Sequence, residues 1–375
     1  MNITIVCDVL GEANNGTTIA ALNLIDSLKR KGHNVRVVCG DESRIGQEGY
    51  YVVKSINLGP LNSYVKKNGV SLSRPDKKIL RQAISGADVV HCMMPFALSR
   101  AAMKVSRQMG IPVTAGFHVQ AENFTSHIFM MNSRLANKLT YKNFYRTFYR
   151  HCACVHYPTD FIRSVFEDQT GPTNHYVISN GVNKRFKPMS INKPTELADK
   201  FVILFTGRYS KEKSHDLLID AVYLSRHSDK IQLIFAGAGP RAEHIDEYSK
   251  KLPLKPICRF FSREELVKIL NFTDLYVHPA EVEIEAISCL EAIACGDVPV
   301  INNSPRCATK SFALTDKNLF EFNDSSDLAK KIDYWIEHPR EKAECSIKYR
   351  DFAKQFDFDT CMDRMEGMLK DAAAM

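Results

Sequence analysis

Phe201-Val202-Ile203-Leu204-Phe205-Thr206-Gly207-Arg208-Tyr209-Ser210-Lys211-Glu212-Lys213 is a short apolar run that stops at a glycine and continues into cations. Five consecutive apolar residues read as a strand buried on both faces. A helical pattern follows over 214–226 and another short strand over 231–236. The same rhythm has already run once upstream. Strands are predicted at 2–7, 34–39, 88–91, 112–116, 153–156 and 175–178, with helices such as 17–31 and 97–109 between them. The first pass ends at Val177-Ile178-Ser179-Asn180-Gly181, and a polar stretch over 183–200 separates it from Phe201. After the restart come strands at 256–259, 274–277 and 298–301 with helices at 263–271 and 284–295. Strands alternating with helices make parallel sheets covered on both faces. The prediction is therefore α/β, with two Rossmann-like doubly wound domains over 1–182 and 183–355. The last segment, 339–373, reads as two helices with no strand after them, and the closing helix, 356–375, is assigned back to the first domain. Ligands of such sheets bind at the carboxyl ends of the strands, where helix N-termini offer free N–H groups. A phosphate-bearing ligand in a cleft between the domains is the expectation.

Composition narrows the class. The 375 residues suit two domains at roughly 100–200 residues each. No apolar run reaches the roughly 18 residues of a spanning helix. Met1-Asn2-Ile3-Thr4-Ile5-Val6-Cys7 reads as a first strand and not as a signal peptide. The 11 cysteines lack any CxxC pair and are read as core fillers in a reducing compartment. The expected localisation is cytoplasmic. The net charge of +7 is unevenly placed. Residues 1–182 hold 21 basic and 12 acidic residues, or +9, whereas 183–375 hold 29 and 31, or −2.

Chemistry concentrates in two places of the second domain. Gly207 lets the chain turn tightly, and Arg208 and Lys213 stand by a helix start where they can neutralise a diphosphate. The GxxxxGK[ST] pattern of a P-loop is absent. Further on, His278-Pro279-Ala280-Glu281-Val282-Glu283 follows a strand, and Glu291 lies on a helix that is otherwise nearly all apolar. A carboxylate there is costly to bury unless it accepts strong hydrogen bonds, such as those of ribose hydroxyls. Glu283 and Glu285 precede that helix; acids at a helix start are also favoured by its dipole alone. In the first domain His118 follows Gly116-Phe117 at a strand's carboxyl end, a ligand position, while His91 at the end of an apolar strand reads as structural.

Glu283 and Glu291, followed by Ala292-Ile293-Ala294-Cys295-Gly296-Asp297-Val298-Pro299-Val300, resemble the signature of the retaining GT-B glycosyltransferases of family four. Arg208 with Lys213 matches that family's diphosphate pair. Phe235-Ala236-Gly237-Ala238-Gly239-Pro240 is similar to its glycine-rich turn. Asp88-Val89-Val90-His91 and Gly116-Phe117-His118 are similar to its two N-terminal histidine motifs, and Asn14-Asn15-Gly16-Thr17 to its glycine loop. The resemblance implies a GT-B fold and transfer of a hexose from a nucleotide-diphosphate sugar, a UDP-sugar such as UDP-glucose, without cofactor or metal. It implies that Arg208 and Lys213 grip the diphosphate, Glu291 the ribose and Glu283 the sugar hydroxyls. It implies that His118 meets the donor sugar and that Gly16 lets backbone approach the phosphate. The family often has Gly-Phe-Gly after its first glutamate; Ile284-Glu285-Ala286 stands here instead. Ala286 narrows the backbone approach, and Glu285 adds a carboxylate near the donor.

The acceptor is sought in the basic half. Residues 123–159 contain no acid, and Arg134, Lys138, Lys142, Arg146 and Arg150 recur every fourth position among Leu135, Leu139, Tyr141, Phe144, Tyr145, Phe148 and Tyr149. On a helix this makes a basic stripe beside an apolar and aromatic face. Such a helix can lie on an anionic bilayer, which would make the protein peripheral on the inner face of the membrane; an ordinary amphipathic core helix is the alternative. Lys66, Lys67, Arg74, Lys77, Lys78 and Arg81 form a second basic patch. Diacylglycerol or a lipid-linked glycan would suit both patches as acceptor. No nucleic-acid recognition motif is present. A capsule or cell-wall polysaccharide transferase, a nucleotide-sugar epimerase and a non-catalytic nucleotide-sugar-binding protein are the competing readings.

Overall fold

A computed structural model describes residues 1–8, 10–11, 16–56, 59, 72–126 and 130–375. Asn14, Asn15, Lys66 and Lys67, which the sequence singles out, lie outside the described residues. Two compact units result, one of Met1–Asn180 with Asp359–Met375, the other of Gly181–Phe358.

The first unit holds a parallel sheet of seven strands. These are β1 Asn2–Cys7, β2 Asn34–Cys39, β3 Tyr50–Val52, β4 Val89–Cys92, β5 Val113–Gly116, β6 Cys154–Tyr157 and β7 His175–Val177. Their order is β3-β2-β1-β4-β5-β6-β7, so the winding reverses between β1 and β4. β4, β5 and β6 are buried throughout, which is why their sequences show no apolar–polar alternation; His91, Thr114 and His156 are the polar residues they bury. The final helix, Phe358–Ala373, belongs here: Arg364 donates to the Val177 carbonyl at 2.8 Å, and Met365, Met368 and Leu369 are buried.

The second unit holds a parallel sheet of six strands: β8 Phe201–Thr206, β9 Ile231–Ala236, β10 Ile257–Arg259, β11 Leu275–His278, β12 Pro299–Asn302 and β13 Leu319–Phe320. The order is β10-β9-β8-β11-β12-β13, and the reversal falls between β8 and β11. Its core interlocks Val202, Ile203, Leu204 and Phe205 with Leu218 and Ile219 of helix His215–Leu224 and with Leu290 and Ile293 of helix Ile287–Cys295.

Two strands were not expected: the edge strands β3 and β13 are too short to stand out in the sequence. Two expectations are corrected. The helix predicted over 284–295 begins only at Ile287, because Ala286 takes a left-handed conformation, φ 59° and ψ 69°, which no α-helix continues through. The basic helix runs Arg134–Thr147 and stops where Phe148 departs to φ −144° and ψ −71°, so Arg150 lies in a 3-10 turn beyond it.

Candidate functional site

The loop after β8 and the loop after β11 carry the second unit's chemistry. They leave adjacent strands at the point where the winding reverses, the place where doubly wound sheets bind ligands. The chain makes a 3-10 turn at Lys211–Lys213, and Ser214 in a left-handed conformation then starts helix His215–Leu224. The glycine-rich turn after β9 supports this loop. Gly207 N–H donates to the Ala236 carbonyl at 3.1 Å, Tyr209 N–H to that of Ala238 at 3.0 Å, and Arg241 N–H to that of Tyr209 at 3.1 Å. A methyl group on Gly237 would stand 2.0 Å from the Gly207 oxygen, and one on Gly239 2.6 Å from the Tyr209 oxygen. Backbone packs on backbone there, and only glycine permits it.

The cations meet carboxylates. Arg208 pairs with Glu212 at 3.0 Å, and the Ser210 hydroxyl donates to the same Glu212 oxygen at 2.6 Å. Lys213 pairs with Glu283, and the His278 ring stands 3.4 Å from that carboxylate. Burial pushes the Glu283 carboxyl up, but the Lys213 ammonium and the neighbouring His278 outweigh it and hold the group down at about 2. Burial in turn pushes the fully buried His278 below the ordinary histidine range. Main-chain bonds from Glu283 N–H to the Arg306 carbonyl at 3.3 Å and from Ala308 N–H to the Glu283 carbonyl at 2.9 Å fix the loop. The Arg306–Glu281 ion pair and the Asn302 side chain on the Pro279 carbonyl, at 2.9 Å, brace it further. Glu212, Arg306 and Asn302 are partners that sequence reasoning missed; nothing in their spacing marks them.

Glu291 is brought elsewhere. It is 5% exposed, and Arg263, at the start of helix Arg263–Phe272, pairs with it at 2.6 Å. The strong hydrogen bond that its burial demands is thus supplied from within the chain. Desolvation still pushes its carboxyl above the ordinary value, with Arg263 pulling the other way. Glu285 is 3% exposed.

In the first unit the Thr17 hydroxyl donates to the His118 carbonyl at 3.4 Å, which sets the start of helix Gly16–Arg30 beside His118. Among the described residues nothing lies within 4 Å of a methyl built on Gly16. Phe117 is buried among Tyr149, Tyr157 and Phe166, with ring centroids 4.7–5.4 Å away. His91 is buried with Nδ1 2.9 Å from the Thr114 hydroxyl.

On helix Arg134–Thr147 the aromatic face is not available to a bilayer. Tyr141 and Phe144 are buried in the first unit's core against Phe117, Phe166 and Phe96, and just beyond the helix Phe148 and Tyr149 are buried against each other, with Tyr149 also on Phe117 and Phe166. Arg134, Lys138, Lys142, Arg146 and Arg150 are exposed, as are Leu135 at 68% and Leu139 at 57%. Among the described residues none of the five cations has a carboxylate at ion-pair distance. Of the second basic patch, Arg74, Lys77 and Lys78 line a cavity of about 940 Å³ with Lys54 and Tyr50. No helix among the described residues is long and apolar enough to cross a membrane.

Residues 187–352 match the family model described as glycosyl transferases group 1, and residues 14–186 match that described as glycosyltransferase family 4. A GDP-mannose-dependent alpha-mannosyltransferase of Corynebacterium glutamicum is 27% identical over 80% of this chain and 72% of its own. An alpha-monoglucosyldiacylglycerol synthase of Streptococcus pneumoniae is 21% identical over 81% of this chain and 72% of its own. The crystal structure of Anabaena HepE in complex with UDP-glucose covers 99% of this chain and 100% of its own, with TM-score 0.74 and 19% identity, a likeness of fold.

Proposed function

The chain belongs to the group 1 glycosyl transferases of family four, with the GT-B fold, and on that premise we propose that it is a retaining hexosyltransferase moving sugar from a UDP-hexose to a membrane-associated acceptor such as diacylglycerol or a lipid-linked glycan. The observation that carries the reading is the meeting of Lys213, Glu283 and His278, with Arg208 on the adjoining loop, at the carboxyl ends of β8 and β11. Arg208 and Lys213 take the diphosphate. Glu283, held ionised, accepts hydrogen bonds from sugar hydroxyls, and His118 meets the sugar. Glu291 takes the ribose, sharing its carboxylate with Arg263, and Gly16 admits the phosphate to the helix start.

The bond from the anomeric carbon to the phosphate oxygen breaks, and its electron pair stays on that oxygen. The acceptor hydroxyl oxygen bonds the anomeric carbon on the same face, and its proton passes to the departing phosphate. Charge grows on the phosphate as the bond breaks, so fixed cations there stabilise the transition state more than the ground state. In this reading the two side chains do the leaving-group work, without a metal.

The relatives act with GDP-mannose or form a glucosyldiacylglycerol, and the structural neighbour holds UDP-glucose. The decisive experiment is therefore nucleoside diphosphate release from UDP-glucose and from GDP-mannose, with diacylglycerol vesicles, a sterol or an oligosaccharide as acceptor. Acceptor-dependent release from UDP-glucose is expected, reduced at least roughly 100-fold in Arg208→Ala and Lys213→Ala, as for loss of a fixed transition-state charge. Release from GDP-mannose alone would reassign the donor. Interconversion of sugars without release would make the protein an epimerase. Full turnover in both variants would remove the two cations from the mechanism.

A further inference from the structure

Gly116 closes β5, and the sheet register sets it between two histidines. His91 of β4 pairs with Thr114, and His156 of β6 pairs with Gly116 itself. Residues two apart on a strand share a face, and so do register partners, so His91, Thr114, Gly116 and His156 all present to one side of the sheet. Both histidines are fixed: His91 Nδ1 lies 2.9 Å from the Thr114 hydroxyl, and His156 Nε2 donates to the Ile178 carbonyl at 2.7 Å. Gly116 itself puts no side chain beside them. The ring of His118 folds back into that gap, with Nε2 2.6 Å and Cδ2 2.7 Å from where a Gly116 Cβ would be, and His91 Nε2 3.6 Å from the same point. The His118 and His156 rings meet edge to face at 5.6 Å.

Gly116 has a negative φ, so turn geometry does not explain the glycine. Space does. The backbone here cannot yield in place of the ring: Phe117 N–H donates to the His156 carbonyl at 2.8 Å, and the Tyr149 hydroxyl donates to the Gly116 carbonyl at 3.2 Å. Inside the cluster the rings are neutral. Burial holds His91 at about 3 and His156 at about 4, and burial and then those two rings hold His118 well below the ordinary range. Neutral rings pack without repulsion. Nε2 of His118 is enclosed and has no hydrogen-bond partner among the described residues.

We propose that Gly116 is a positioning residue for His118: the missing side chain is the seat of the imidazole, with His91 and His156 as its walls. This rests on the reading that His118 meets the donor sugar. A methyl at Gly116 must drive the ring back by about 0.8 Å to reach the 3.4 Å of ordinary contact. Displacements near 1 Å lower rates by up to about 100-fold.

The test is a double-mutant cycle with Gly116→Ala, His118→Ala and the pair, assayed for kcat and KM with UDP-glucose and with GDP-mannose. Both single variants should lose roughly 10- to 100-fold in kcat/KM, and the double variant should be no worse than His118→Ala. In Gly116→Ala the ring signals of His118, read in protein labelled with ¹⁵N-histidine, should move while the melting temperature holds. Additive losses, or a fully active Gly116→Ala beside an impaired His118→Ala, would overturn the seat and leave the role of His118 standing. A fully active His118→Ala would remove that role and the seat with it. Should Gly116→Ala fail to fold, deleting the ring in the double variant must restore folding; a double variant that stays insoluble places the clash elsewhere and overturns the proposal.

Discussion

Ala286 occupies a backbone conformation that costs an ordinary residue roughly 1–2 kcal/mol. It stands where the family often has glycine, and it keeps glycine's geometry at φ 59° with its methyl nearly buried. Two terms oppose each other on replacement by glycine. Strain is relieved, but a buried methyl worth about 0.8 kcal/mol is lost and the unfolded chain gains freedom. Ala286→Gly should therefore leave the melting temperature within about 2 °C of the parent. Ala292→Gly, inside helix Ile287–Cys295 and fully buried, has no strain to release and should cost about 2 kcal/mol, or roughly 4–8 °C. Equal losses in a calorimetric scan would show that Ala286 is not strained. Among the acids, Glu285 and Glu291 are both buried, and the sequence marked Glu291 as the anomaly. It could not show that Arg263, 28 residues earlier, answers that carboxylate.

The elements that place the site were legible because each is a local pattern. Phe201–Thr206 and Ile231–Ala236 appear as short, mainly apolar runs, and the glycines after them are visible as turns. What the turns do was not legible. Gly237 and Gly239 hold the Arg208 loop by backbone contact, a relation between segments about 30 residues apart. Gly237→Ala should lower the melting temperature by several degrees, since a methyl 2.0 Å from a carbonyl oxygen forces the loops apart at a cost of roughly 2 kcal/mol or more. It should also depress kcat by moving Arg208. Gly16→Ala meets no described atom and should leave the melting temperature unchanged while weakening donor use. Unchanged melting and turnover in Gly237→Ala would refute the supporting role. The basic helix shows the same limit: its period is plain in the sequence, but which face the core would take depended on Phe117 and Phe166, which lie on other elements.

At the scale of the whole molecule the charge is divided, +9 over 1–182 against −2 over 183–375. Four exposed cations on helix Arg134–Thr147, each worth about 1 kcal/mol at an anionic surface, stand beside the exposed Leu135 and Leu139. The full protein should co-sediment with vesicles containing anionic lipid and not with neutral ones at physiological salt. Lys138→Glu with Lys142→Glu should weaken that binding at least roughly 30-fold, from about fivefold per cation removed. Binding that ignores lipid charge would favour a soluble acceptor. The sequence by itself determined two parallel doubly wound sheets, all their strands but the short edge strands β3 and β13, and the residue types that gather after them, because strand burial and glycine turns are written in patterns a few residues long. The tertiary structure alone decided that Lys213 would find Glu283 seventy residues away, that Arg263 would answer Glu291 and that His118 would fold over Gly116. Those outcomes depend on strand order and register, which are fixed by how whole elements pack and leave no mark in any one stretch of the chain.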